Sequence, residues 1–169
     1  MKEYDPNINS LLIKPLYLGL LMNMFIPVVI ILIGYYLNNQ SLESKATDGT
    51  LSLIFWIFVG VSAMDGGVAF YFKQKLFFQP MIYSRETFDD DLKNGIFTNS
   101  IVCFALTTSI SIYGLVYFLI ENDFKQMIFF VFISIIAFQL VRPRPGFLKK
   151  IVAHQEELMT QGRFKERLK

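Results

Sequence analysis

The sequence predicts an all-α membrane protein of four spans. Three observations carry that expectation. Four apolar runs are long enough to cross a bilayer. The 169 residues are 53% hydrophobic, with 18 Phe, and only 18% are charged. The basic residues are also distributed unevenly between the connections. About 20 apolar residues rising ~1.5 Å each cross a hydrocarbon core of ~30 Å. Lipid offers no hydrogen-bond partners, so such runs must satisfy their own backbone as helices. The expected spans are about 16–37, 51–72, 96–120 and 124–141, packed as two antiparallel hairpins in a unit covering 1–145. A basic amphipathic tail, 146–169, follows.

The first run opens with Lys14 and Pro15. Proline is tolerated in a first helical turn, and a lysine there can reach the headgroups. Asn23 and Pro27 lie inside the run. Proline lacks an N–H and its ring clashes with the carbonyl four residues earlier, here that of Asn23, so a kink is expected. Tyr35 and Tyr36 close the run as interfacial aromatics do. A polar connection, 38–50, leads to the second run, Leu51–Phe72, which carries a single carboxylate, Asp65. Phe58, Val61, Ser62, Asp65, Val68, Ala69 and Phe72 share one helical face. Ser62 with Gly66, and Ala63 with Gly67, are small residues four apart, a spacing that admits a close helix neighbour.

Lys73–Gly95 reads as a long polar segment ending in Asp89–Asp91. The third run carries a hydroxyl band, Thr107, Thr108, Ser109 and Ser111, and then Tyr113 and Tyr117. Such hydroxyls bond back to their own helix or join helices, and a lining for a polar path is the alternative. A tight turn leads to the fourth run, which Arg142-Pro143-Arg144-Pro145 stops. In the tail Phe147, Leu148, Ile151, Val152, Leu158 and Met159 recur at helical spacing. That segment is expected to lie on the membrane surface or dock on a partner. Arg142, Arg144, Lys149 and Lys150 are the candidate contacts for anionic headgroups or a partner.

Fourteen of the sixteen Lys and Arg fall in the N-terminus, the middle connection and the tail; only Lys45 and Lys125 fall in the other two connections. The positive-inside rule then puts both termini in the cytoplasm. The N-terminus lacks a basic leader and a cleavage signal, so the first run reads as a retained helix. The expected location is a bacterial cytoplasmic membrane. One Cys (Cys103) and one His (His154) exclude an internal disulfide and a Cys/His zinc site. Cys103 reads as an apolar filler and Trp56 as packing or lipid contact. Asp89-Asp90-Asp91 followed by Asn94-Gly95 fails as a calcium loop, because Asn94 and Lys93 occupy positions that need glycine and a ligand. No cofactor, metal or nucleic-acid partner is expected.

Residues 54–65 align with 128–139, with four identities in twelve positions, so a parallel internal repeat is an open reading beside mere compositional likeness. It sets Asp65 opposite Gln139. Ser111-Ile112-Tyr113-Gly114-Leu115-Val116 resembles a stretch of the ATP synthase proteolipid (c) subunits, over less than a tenth of the chain. In that family a membrane carboxylate precedes this tyrosine by five residues. Here that position is Thr108, so the resemblance implies hairpin packing and not proton-driven rotation.

The intramembrane polar site is therefore expected at Asp65, Asn23, Pro27 and Gln139. An intramembrane carboxylate costs about 2.5–3.5 kcal/mol to insert and marks ion paths or proton relays. Asp65 and Asn23 each sit roughly 5 Å to the cytoplasmic side of mid-membrane, so an antiparallel hairpin would bring them together. Three roles stand open for Asp65: a protonatable or cation site with Asn23, an amide-bonded lock between helices, or a partner for a cation on another subunit. No catalytic constellation is visible. The expected function is an accessory or scaffold subunit of a membrane complex, not an enzyme. The alternative is an oligomeric ion or proton channel or transporter subunit using Asp65 and Asn23.

Overall fold

The structure is a computed structural model that describes residues 8–39 and 48–166. Residues 1–7 and most of the first connection, with Lys45, lie outside the described residues. Every regular element described is helical: α1 (Ile8–Leu20), a π-helical turn (Leu21–Phe25), α2 (Ile26–Asn38), α3 (Asp48–Leu76), α4 (Phe88–Glu121), α5 (Phe124–Val141) and α6 (Pro145–Thr160). Four helical stretches are long and apolar enough to cross a membrane: Ser10–Asn38, Leu53–Leu76, Phe88–Glu121 and Phe124–Val141. These are the four spans read from the sequence.

Two boundaries have clear local causes. Asn122 adopts the left-handed conformation (φ 60°) that ends α4. Next to it Asp123 caps α5, its Oδ1 accepting from the Lys125 and Gln126 amides at 2.9 and 3.2 Å. α4 begins at Phe88, well before the expected Ile96. Phe88, Leu92 and Ile96 recur every four residues and all are buried, so one apolar stripe runs through the acidic stretch. The acidic run Asp89–Asp91 forms the first turn of α4, where carboxylates are favourable, and Asp91 is half-buried there. Its Oδ2 accepts from the Tyr83 amide at 2.8 Å and the Thr87 hydroxyl at 2.6 Å, tying the preceding loop to the helix start.

α4 is the centre of the bundle. α5 folds back on it, α3 packs along another side, and α1 and α2 lie on α4 with α2 also against α5. The first two spans do not form the expected packed hairpin, since both use α4 as their main neighbour. The sequence-matched α3 and α5 consequently occupy different settings. Half of the crossing stretch of α4 is buried (50%), against 11% for α3. Close approach within the chain falls on glycines other than the expected pair. A Cβ at Gly114 would stand 2.7 Å from Phe130 Cβ and 3.0 Å from the Met127 carbonyl, whereas one at Gly66 or Gly67 would meet nothing.

The tail also departs from expectation. α6 buries its apolar face inside the chain and not against lipid or a partner. Leu148, Ile151 and Val152 join Leu11, Phe77, Met81, Ile82, Leu92 and Val141 in one core. Gln155 is the polar pin of that core. It accepts from the Met81 amide at 3.0 Å and donates to the Gln79 carbonyl at 2.9 Å. The Lys165 amide donates to Ile82 O at 2.8 Å and holds the following segment on the same loop.

Three outcomes follow from this packing. Gly114→Ala is expected to cost about 1–3 kcal/mol, because one of the atoms met belongs to backbone that cannot yield. Gly67→Ala, facing open space, is expected to be neutral or to stabilise by up to ~1 kcal/mol through helix preference. Unfolding in mixed detergent–denaturant micelles compares them. Gln155→Leu strands a buried amide and a carbonyl, at about 1–3 kcal/mol. Faster tryptic cleavage at Lys75 or Arg85 would register the loosened loop.

Candidate functional site

The polar residues of the spans gather at one depth, around residues 107–109 of α4. Asn23 is fully buried in the π-turn. The turn has a local cause in Pro27, which offers no N–H to the Asn23 carbonyl and would crowd it in a regular helix. The Ile26 amide reaches back five residues to Leu21 O, and the widened turn relieves that clash. The expected break in the first span is thus a π-turn carrying Asn23.

The Asn23 side chain is received by α4. Thr107 Oγ1 donates to Asn23 Oδ1 at 2.7 Å, and Thr108 Oγ1 lies 3.2 Å from the same oxygen. Each hydroxyl has one proton. Thr108 is closer to its own-helix carbonyl, Phe104 O, at 2.8 Å, so Thr107 is the main donor to Asn23. Ser134 on α5 donates to the Thr107 carbonyl at 2.7 Å. Asn23 Nδ2 has no partner, nor has the buried Ser62 Oγ on α3.

Asp65 lies on another side of α4. Its Oδ2 accepts from Ser109 Oγ at 2.6 Å and from Tyr113 OH at 2.8 Å. Ser109 shares its proton with Leu106 O at 2.8 Å, whereas Asp65 is the acceptor found for the Tyr113 phenol. Phe58 stacks on the Tyr113 ring at 5.9 Å between centroids and fixes its direction. Both bonds fall on Oδ2, and among the described residues no donor reaches Oδ1. Asp65 is partly buried, at the seam between α3 and α4.

Asn23 and Asp65 therefore lie at neighbouring levels along α4, and the expected pairing between them is not found. Asn23 bonds Thr107 while Asp65 bonds Ser109, two residues on, which is the opposite side of an α-helix. α4 stands between the two groups because, among the described residues, α1 and α2 pack chiefly on α4 and not on α3. Pro27 shapes the turn that presents Asn23. The partly buried Gln139 takes no part; its carbonyl accepts from Arg144 Nη2 at 3.5 Å. Of the small-residue stripe only Ser62 is buried, while Ala63 and Gly67 are exposed and Gly66 is intermediate. Of the expected face of α3, Ser62 and Ala69 are buried and Phe58, Val61, Asp65 and Phe72 are half-buried, but Val68 at its edge is exposed. Cys103 is buried, with its thiol 3.6 Å from Ala69 O. His154 Nε2 lies 3.1 Å from Phe78 O. Trp56 is 65% exposed on the outer side of α3.

Sequence reading missed the partners of Asp65, although Ser109 and Tyr113 stand four apart and so share a face at its depth. A cavity of about 320 Å³ opens at the α6 end, between Arg85, Glu86, Phe88, Asp89, Glu156 and Met159. Twenty residues of α4, roughly 30 Å at the helical rise, separate it from the polar layer. Among the described residues no group of three His, Cys, Asp or Glu converges as a metal site. Fold and polar layer together fit a multi-span helical membrane protein. Comparison with family models, with curated proteins and with solved structures finds no match to this chain.

The accounting of protons gives a graded expectation. Thr107→Val should cost about 1 kcal/mol and Thr108→Val less, within the range measured for intramembrane hydrogen bonds. The double variant leaves Asn23 with no partner and should cost more than the two singles added. A double-mutant cycle on unfolding free energies reads the coupling.

Proposed function

We propose that the chain is a small integral membrane protein that works non-catalytically, as an accessory or scaffold subunit of a membrane complex. The observation that carries this reading is the state of α3. It is the least buried span, it bears the one carboxylate of the polar layer, and its Ala63 and Gly67 are exposed, with open space at Gly67. A half-covered carboxylate in lipid is costly, and small residues let a neighbouring helix come close. A partner helix along α3 removes Asp65 from lipid. In this reading both termini and α6 are cytoplasmic, in a bacterial plasma membrane, and Arg142, Arg144, Lys149 and Lys150 meet anionic headgroups.

A second reading has one specific support. Among the described residues Asp65 Oδ1 receives no donor, which suits a carboxylate that exchanges a proton or cation in an oligomeric channel or transporter. Asn23 then serves as a fixed polar joint on the other side of α4, not as a co-ligand.

Exchanges at Asp65 separate the two. Asp65→Asn keeps shape and hydrogen bonding but cannot titrate, and Asp65→Leu removes both. For an accessory subunit the Asn variant should assemble as wild type, while the Leu variant should fall out of the complex extracted from its own membrane. Native mass spectrometry gives the size and composition of that complex. A closed homo-oligomer whose Asn variant assembles but loses proton or cation flux in vesicles would sink the accessory reading.

A further inference from the structure

The α6 end carries cations that the polar layer does not use. Lys73 lies eight residues past Asp65 on α3, so roughly 12 Å nearer that end. This is headgroup depth. Its ammonium crosses to α5 and donates to Leu140 O at 2.7 Å. It also sits 4.9 Å over the Phe147 ring at the start of α6. Arg144 reaches the adjacent carbonyl, Gln139 O, at 3.5 Å. Two long cations therefore converge on the last turn of one helix.

Charge does not balance there. A helix C-terminus offers about half a negative charge against two full positive ones. No carboxylate bonds either cation among the described residues. Along α4, Asn99 bonds Leu76 O, which fixes the level of α3 beside it. The acidic run, Asp89–Asp91, begins about 12 Å further out from that level, and Asp65 is about 12 Å inward of Lys73, both beyond a Debye length of ~8–10 Å. Lys73 keeps two of three donors free of carbonyls, and Arg144 keeps four of five. Leu140, 58% exposed, offers apolar surface beside them for an acyl chain.

We propose that Lys73 and Arg144 form a discrete site for the phosphate of an anionic glycerophospholipid, floored by Phe147 and flanked by Leu140. The site differs from a diffuse basic belt because its two cations are pinned by named carbonyls. It depends neither on Asp65 nor on a partner helix.

The test uses the full chain in mild detergent, offered dioleoylphosphatidylglycerol or dioleoylphosphatidylcholine, with bound lipid counted by native mass spectrometry. One phosphatidylglycerol should be retained in preference to phosphatidylcholine. Lys73→Gln and Arg144→Gln should each lower retention about fivefold, and Lys73→Arg should keep it. The Lys149→Gln/Lys150→Gln pair should lower it less than either. Equal retention of the two lipids, or an equal or larger loss in the Lys149/Lys150 pair, overturns the proposal. Displacement of the lipid by about 10 mM inorganic phosphate would mean that free phosphate is the ligand, and overturns it too. If Lys73→Gln fails to fold by circular dichroism, Arg144→Gln alone decides.

Discussion

Lipid leaves a buried polar group no solvent to turn to, so a partner inside the chain is strongly favoured. Thr107 is where this chain meets that demand. Its hydroxyl receives the π-turn of the first span, and its carbonyl receives Ser134 of α5. Two residues on, Ser109 receives Asp65 of α3. One stretch of α4 thus fastens three neighbours by hydrogen bonds that only correct packing satisfies. Apolar contacts between membrane helices compete with equally apolar lipid, so these few polar bonds set the register.

The fastening is uneven. The first span and α5 are held by groups that are wholly buried, at Asn23, Thr107 and Ser134. α3 is held by Asp65, only partly covered, and by aromatic contacts such as Phe55 on Tyr117 at 5.7 Å. Its opposite side is open along its whole crossing stretch. The bundle is therefore a closed core of α1, α2, α4 and α5 with a more loosely covered helix on one flank. Asp65, Ser109 and Tyr113 meet where the closed part adjoins that flank.

How much of this was legible follows from what each residue's surroundings demand. The spans were readable because a bilayer requires a fixed length of apolar helix. The bounds of α5 were readable because Asp123 caps it and Pro143 cannot continue it. The depth of Asn23 and of Asp65 was readable because the helical rise is constant. Their separation was not, since depth says nothing about which helix stands between two others. The start of α4 was hidden because Phe88 and Leu92 are interleaved with three aspartates. Lys73 and Gln155 read as ordinary surface residues, and only the fold brings Lys73 to the end of α5 and Gln155 to the loop amides. The apolar stripe of the tail was visible, but its partner was not, since an amphipathic helix in sequence looks the same whether it faces lipid or its own chain.

The placement of α6 has a consequence for the order of events during synthesis. Leu11 near the beginning and Leu148 near the end share one core, with the loop between α3 and α4 packed among them. Contacts of such wide separation in sequence form late. All four spans emerge before the helix that seals this end, so the nascent bundle first stands with Phe77, Met81 and Ile82 uncovered. During that interval the loop amides that Gln155 will hold are open to water, and the apolar residues around them are exposed to any chaperone at the membrane surface. Sealing by α6 converts an inserted chain into a finished one.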